Sequence, residues 1–281
     1  MRLQELRALL AAHGLAPQHR LGQNFLVDPA LLAAIVRDAG VLPGEPVIEI
    51  GPGAGALTRL LLDGGARVTA VEVDHGLCRL LRERFAPELA AGSLALIAGD
   101  ALAARERLHP DLEGRWAAWS AARTPPRLVA NLPYAISGPF LARLPARPLA
   151  AATLLLQREV AQKAAGALAG EWSPLAIRLA LAFVPELGRT VPPEVFWPRP
   201  QIESQFLLLQ PRPGAPDALS DARLAAALRL AFGQRRKLLL PRLAQAAPEW
   251  ADALRAAGVG PSARAGELGP ATWAEALSRL Q

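Results

Sequence analysis

A single cysteine among 281 residues excludes two classes of structure at once. Cys78 can form no intramolecular disulfide and seed no cysteine-based metal cluster, so a reducing cytoplasm is the expected compartment. It lies in the helical run after Asp74 and reads as a small buried hydrophobe. The four histidines, His13, His19, His75 and His109, show no metal-ligand spacing, and no metal site is assigned. Apolar residues make up 52% of the chain, yet no uninterrupted apolar run approaches the length of a membrane span. Residues 1–12 set Arg2, Glu5 and Arg7 among leucines at helical spacing, which reads as an amphipathic helix rather than a signal peptide.

Lysine is almost absent, two against 29 arginines, a skew that genome composition alone could produce. The distribution of charge is more telling than the net +6 or the isoelectric point near 10.7. From Ala222 to Pro248 acid is missing altogether, while Arg223, Arg229, Arg235, Arg236, Lys237 and Arg242 are present. A solvated helix face usually mixes signs, so this stretch points to phosphate contact. His19-Arg20 is a weaker sign of the same polyanionic partner.

What is present in strength is a series of strand-like runs with polar groups at their ends. Val47-Ile48-Glu49-Ile50 leads into Gly51-Pro52-Gly53-Ala54-Gly55 and then the helix-like Ala56–Leu62. Glycines permit a tight turn and a close ligand, and the helix start offers free N–H groups. Arg67–Val73 forms a second run, and Glu72 falls about twenty residues after the glycine loop, where nucleotide folds place a ribose-binding acid. Leu94–Ile97 forms a third, ending in Gly99-Asp100-Ala101. Taken alone, Asp100 reads equally well as a turn or cap residue. Gly51, Gly53 and Ala56 also satisfy the dinucleotide pattern, so the loop does not separate a nicotinamide cofactor from S-adenosylmethionine.

Together with the carboxylate of Asp100 at the end of the third run, Asn131-Leu132-Pro133-Tyr134 decides between them. It follows the strand-like Arg127–Ala130 and therefore sits at a carboxyl end, where open α/β sheets bind ligands. The Asn131 amide and the Leu132 carbonyl can accept hydrogens from an amine. Pro133 holds the backbone extended, and Tyr134 offers a face for a flat base. A methyltransferase acting on a base amine needs this corner, whereas a dehydrogenase does not.

Strands and helices alternate from residue 46 to about 210, predicting a doubly wound sheet after a helical lead-in over 1–45. The Pro/Gly-rich stretch 210–216 reads as a linker, with Ser220 or Asp221 capping the next helix. The expected domains are a catalytic 1–210 and an all-α, RNA-binding 217–281. Residues 105–123 read as an irregular surface insertion.

In order and spacing these segments resemble the KsgA/RsmA family of small-subunit rRNA adenine dimethyltransferases, which is related to the Erm resistance methyltransferases and mitochondrial transcription factor B. Further matching segments are Leu21–Leu26, Leu156–Val160, Val191–Pro193, Phe196–Ser204 and Phe232–Lys237. The resemblance implies a class I, Rossmann-like methyltransferase sheet of seven strands, the last antiparallel, and S-adenosyl-L-methionine as cofactor. It implies a cofactor site made of Gln23, Asn24, Leu26, Gly51, Gly53, Glu72, Asp100, Ala101 and Asn131. Asn131, Leu132, Pro133, Tyr134 and Phe196 would be catalytic, with Tyr134 and Phe196 sandwiching the target adenine, and Arg235, Arg236 and Lys237 would bind RNA. The implied protein is a cytoplasmic monomer, without metal or membrane, that dimethylates adenines in small-subunit rRNA, preferably in a pre-assembled subunit. An Erm-type enzyme acting on large-subunit rRNA and a non-catalytic assembly factor of the same fold remain as alternatives. The chain departs from the family pattern at Leu21, at Ala135 and at Glu171–Ala176.

Overall fold

The computed structural model describes residues 1–104, 107–167 and 172–280. Its centre is a seven-stranded sheet with strands β1 (Pro46–Ile50), β2 (Arg67–Glu72), β3 (Leu94–Ala98), β4 (Arg127–Asn131), β5 (Ala151–Gln157), β6 (Phe183–Val191) and β7 (Ser204–Pro211). The spatial order is β3-β2-β1-β4-β5-β7-β6. The first five strands run parallel, and β7 lies antiparallel to β5, with Phe206 opposite Leu155. Parallel strands covered on both faces need apolar residues at successive positions. Val47, Ile48 and Ile50 are accordingly buried throughout, as are Leu128, Val129 and Ala130.

Register levels the carboxyl ends. Ile50 pairs with Val71, Glu72 with Ala98, and Asn131 with Leu155. The strand order reverses between β1 and β4, which opens the crevice in which such sheets take ligands. Each helix near this edge starts for a local reason. Asp28 accepts from the Leu31 N–H at 2.9 Å and caps Pro29–Ala39. Asp74 accepts from Gly76 and Leu77 and caps His75–Arg84.

The chain divides into two compact units, one of residues 1–143, 148–161 and 187–209, the other of 144–147, 162–186 and 210–281. The second unit is helical. Its core joins Ile177, Leu224, Leu228, Leu243, Trp250, Leu254 and Trp273, and Arg178 clasps Asp221 through two bonds of 2.8 and 2.6 Å. Among the described residues no helix is long and apolar enough to cross a membrane.

Three local expectations are corrected. Most of 105–123 is ordered helix: Pro110–Ala121 starts at a proline and buries Leu112 and Trp116, whose indole N–H donates to the Pro148 carbonyl at 2.8 Å. Two buried positions in an alanine- and arginine-rich run were too sparse a periodicity to read, and residues 105 and 106 lie outside the described residues. The expected break at 210–216 begins later, because β7 runs through Pro211. Asp217, not Ser220 or Asp221, caps Ala218–Phe232 by accepting from the Ser220 N–H at 2.7 Å. Asp221 is instead occupied by Arg178.

Candidate active site

Above the carboxyl ends of β1, β2, β3 and β4 lies a cavity of about 300 Å³. Its lining includes every residue expected to hold a cofactor: Gln23, Asn24, Leu26, Gly51, Gly53, Glu72, Asp100, Ala101 and Asn131. Leu132, Pro133 and Tyr134 line it too.

The glycine loop is shaped by close neighbours. Gly51 has φ +70°, and a Cβ there would stand 2.8 Å from the Pro133 ring. The loop thus packs directly on the Asn131–Tyr134 corner. Gly53 has φ +60°, and a Cβ there would meet the Phe25 ring at 3.0 Å. In both places the left-handed backbone and the lack of space exclude any side chain.

Glu72 is 4% exposed and spans the loop from below. One carboxylate oxygen accepts from the Gly53 N–H at 3.0 Å and the other from the Asp74 N–H at 2.9 Å. Burial pushes its pKa up to about 7, with the nearby Asp74 charge adding to the rise, against these backbone bonds. Asp100 differs in kind. It is exposed and closes a turn by accepting from the Leu102 N–H at 2.9 Å. Asp100 thus closes a turn and also lines the cavity.

The Asn131 side chain donates from Nδ2 to the Asn24 carbonyl at 3.1 Å. This leaves Oδ1 as the acceptor of that amide. Tyr134 shares a 2.8 Å hydrogen bond between its hydroxyl and Ser204, and burial raises its pKa. The hydroxyl anchors the ring, so the tyrosine face rather than its tip is what the cavity can use.

Gln23 lines the cavity but has another task. It donates to Asp74 at 2.9 Å, Gln18 donates to the same oxygen at 2.6 Å, and the Gln18 N–H donates to the Gln23 amide at 2.8 Å. Burial alone would raise the Asp74 pKa, but bonds from Gln23, Leu77, Gly76 and Gln18 hold it below the usual range. Phe196 is not brought to the cavity. It is 3% exposed, packs in the core with Leu26 and Phe206, and pairs with Leu26 in a two-residue antiparallel ribbon. A motif shows that an aromatic is present but not which way the ribbon turns it.

One residue went unread in the sequence. Glu49 is 2% exposed, lines the cavity and accepts from the Thr58 hydroxyl at 2.7 Å. Burial, with the Glu72 charge adding to it, raises its pKa to about 8 in spite of the Thr58 bond. The available signal was a carboxylate interrupting a buried strand directly before the glycine loop.

Arg235, Arg236 and Lys237 are exposed in the turn between the helices Ala218–Phe232 and Leu239–Ala246 of the second unit. The Arg235 guanidinium rests 5.8 Å from the Phe232 ring. Among the described residues no group of three or more His, Cys, Asp or Glu could hold a metal ion. Of the Glu171–Ala176 segment, Glu171 lies outside the described residues. Trp172 donates its backbone N–H to Gly266 at 2.9 Å, and Ser173 caps the helix Pro174–Ala182.

The chain is similar to known proteins over nearly its whole length. The ribosomal RNA small subunit methyltransferase A of Anaeromyxobacter sp. (strain K) is 40% identical over 286 residues, covering 97% of this chain and 96% of its own. That of Leifsonia xyli subsp. xyli (strain CTCB07) is 39% identical over 277 residues, with 94% and 92% covered. Among solved structures, the 23S rRNA methyltransferase ErmE superposes with a TM-score of 0.66 at 28% identity, covering 92% of this chain and 99% of its own. A dimethyladenosine transferase from Plasmodium falciparum shares the fold with a TM-score of 0.67 at 22% identity, over 91% and 97%. The sequence profile of the ribosomal RNA adenine dimethylases matches residues 15–281. The chain belongs to the ribosomal RNA adenine dimethylase family.

Proposed function

We propose that this protein transfers methyl groups from S-adenosylmethionine to the exocyclic amines of two adjacent adenines in small-subunit rRNA, acting on a partly assembled subunit. The observation that carries this reading is the meeting of Glu72, Asp100 and the Asn131–Tyr134 corner on one cavity.

The residues suit a cationic adenosyl group. Glu49, Glu72 and Asp100 give the cavity an acidic lining, and the missing Cβ of Gly51 lets the glycine loop pack directly on the Pro133 ring. When bound, S-adenosylmethionine supplies an electrophilic methyl group on a positively charged sulfur. Glu72 would accept from the ribose hydroxyls while still bracing Gly53. Asp100 would accept from the adenine amine of the cofactor, and Asn24, Leu26 and Ala101 would border it.

The target nitrogen is a poor nucleophile because its lone pair is delocalised into the ring. Asn131 Oδ1 and the Leu132 carbonyl would accept its two hydrogens, which favours a pyramidal nitrogen and stabilises the positive charge that develops on it. No strong base is needed, since the proton can leave after transfer. Positioning is the main contribution and is worth about 7 kcal/mol or more in well-oriented systems. The base must be unstacked to enter, and the Tyr134 face offsets that cost. Phe196 would complete a sandwich only after the ribbon that buries it shifts. Arg235, Arg236 and Lys237 would contact phosphates.

The test is label transfer from S-adenosylmethionine to undermethylated ribosomal subunits, followed by nucleoside analysis. Label in the small subunit as N6,N6-dimethyladenosine is expected. Label confined to the large subunit would support the Erm-type reading that the likeness to ErmE keeps open. RNA binding without any transfer would support a non-catalytic assembly factor.

A further inference from the structure

We infer that Arg20 is a substrate-positioning residue, a guanidinium at the cavity mouth that grips a backbone phosphate of the nucleotide drawn in for methylation. The inference rests on the function proposed above and extends it to a residue outside that machinery.

Arg20 lies in the short 3-10 turn His19–Leu21 and is exposed. Among the described residues that line the cavity it is the only cationic side chain, in a lining that carries the acidic side chains Glu49, Glu72 and Asp100. No ion pair among the described residues engages it. A relay of hydrogen bonds nevertheless orients it. Arg20 Nε donates to the Gln18 amide oxygen at 3.0 Å, and Gln18 Nε2 donates to Asp74 at 2.6 Å. Asp74 is itself buried and held by the helix it caps. Through this relay a buried carboxylate orients an exposed guanidinium by its Nε edge, and both Nη groups stay available.

The anion that suits such a group is a phosphate rather than the cofactor's carboxylate. The methionine end of the cofactor carries its own ammonium beside its carboxylate, whereas a nucleotide extruded from RNA brings uncompensated phosphates. The location agrees. Gly22, at the end of the Arg20 turn, lies against the backbone of Ala135, 3.9 Å from an added Cβ. Ala135 directly follows the corner at which the target base would be held. Phosphate contacts fix register and orientation without reading sequence, which is what an extruded base requires.

Arg20→Ala and Arg20→Lys, compared with the wild type on undermethylated small subunits and on an rRNA fragment, test this. Arg20→Ala is expected to raise KM for the subunit about tenfold with kcat within about twofold. It should lower the salt slope of RNA binding by roughly 0.7–0.9 log units per log unit of salt. Arg20→Lys keeps the charge, so it should keep the slope. Calorimetric affinity for S-adenosylmethionine should be unchanged in both. Unchanged KM and slope in Arg20→Ala would overturn the inference, and a tenfold loss of cofactor affinity would assign Arg20 to the cofactor instead. A wild type that methylates neither subunit would defeat the functional reading itself, while the salt slope would still decide whether Arg20 meets phosphate.

Discussion

The cavity and the basic turn of the helical unit treat charge in opposite ways. In the cavity, Glu49 and Glu72 are buried, bonded to specific donors and pushed toward neutrality. In the turn, Arg235, Arg236 and Lys237 stand exposed on a short loop. A buried, bonded charge recognises one geometry and suffers from small displacements. An exposed cluster recognises a density of phosphate and tolerates changes in detail. Preorganisation and charge number are therefore separable here by mutation.

The largest effect is expected at Asn131. Replacing it with Ala removes the acceptor proposed to meet charge that develops during transfer, so the methylation rate should fall about 10²–10³-fold. Cofactor affinity should change far less, although the bond to the Asn24 carbonyl is also lost. Single-turnover kinetics beside calorimetry would check this, and a wild-type rate would refute the mechanism.

Glu72→Ala comes next, and it separates the two carboxylates. Losing the proposed charged hydrogen bonds from Glu72 to the ribose should weaken cofactor binding by roughly 1.5–3 kcal/mol. Because Glu72 also accepts from Gly53, the glycine loop loses a brace. Asp100→Ala, at an exposed site with only a turn to hold, should weaken binding by less. Equal losses in the two variants, read by calorimetry, would erase the distinction drawn here between a buried and an exposed acid.

The triple replacement of Arg235, Arg236 and Lys237 with Ala probes the other region. It should remove about three phosphate contacts and flatten the salt dependence of RNA binding by about two to three units. Cofactor affinity should stay the same, and filter binding across a salt series would measure the change. An unaltered slope together with unaltered methylation would reduce the turn to a solvated surface.

The smallest effect is on stability. Folding raises the pKa of Glu49 to about 8 and of Glu72 to about 7, so between the unfolded carboxylate range and these values the folded state holds more protons. Stability of the cofactor-free protein should therefore fall as pH rises from about 5 to about 8 and level off above. Glu49→Gln should make that decline shallower, read as the dependence of Tm on pH. A melting temperature independent of pH in the wild type would contradict the burial of these two groups.

The sheet and most of the cavity were legible in the sequence because their signals are local. An apolar run, a glycine turn and an acid at a strand end are read within a few residues, which located Gly51, Glu72, Asp100 and Asn131. What stayed hidden depends on distant partners. Gln23 is defined by Asp74, 51 positions away, and Gln18 by the same residue. The burial of Phe196 follows from its pairing with Leu26, and that of Trp116 from its packing beside Pro148. Glu49 was in plain view, but a carboxylate in a buried strand acquires meaning only once Thr58 is known to face it.

The two backbone N–H groups that share the Glu72 carboxylate have a consequence for heat. Burial raises the pKa of this group to about 7, so part of it is protonated at neutral pH in the empty protein, while hydroxyl donors of a ribose would favour its ionised form. Cofactor binding should therefore expel a fraction of a proton at pH 7. The binding enthalpy would then depend on the ionisation heat of the buffer that takes up the proton. Titrations in phosphate and in Tris should differ by that fraction and should coincide in Glu72→Gln. On this proposal the cavity takes in a cation partly by giving up a proton.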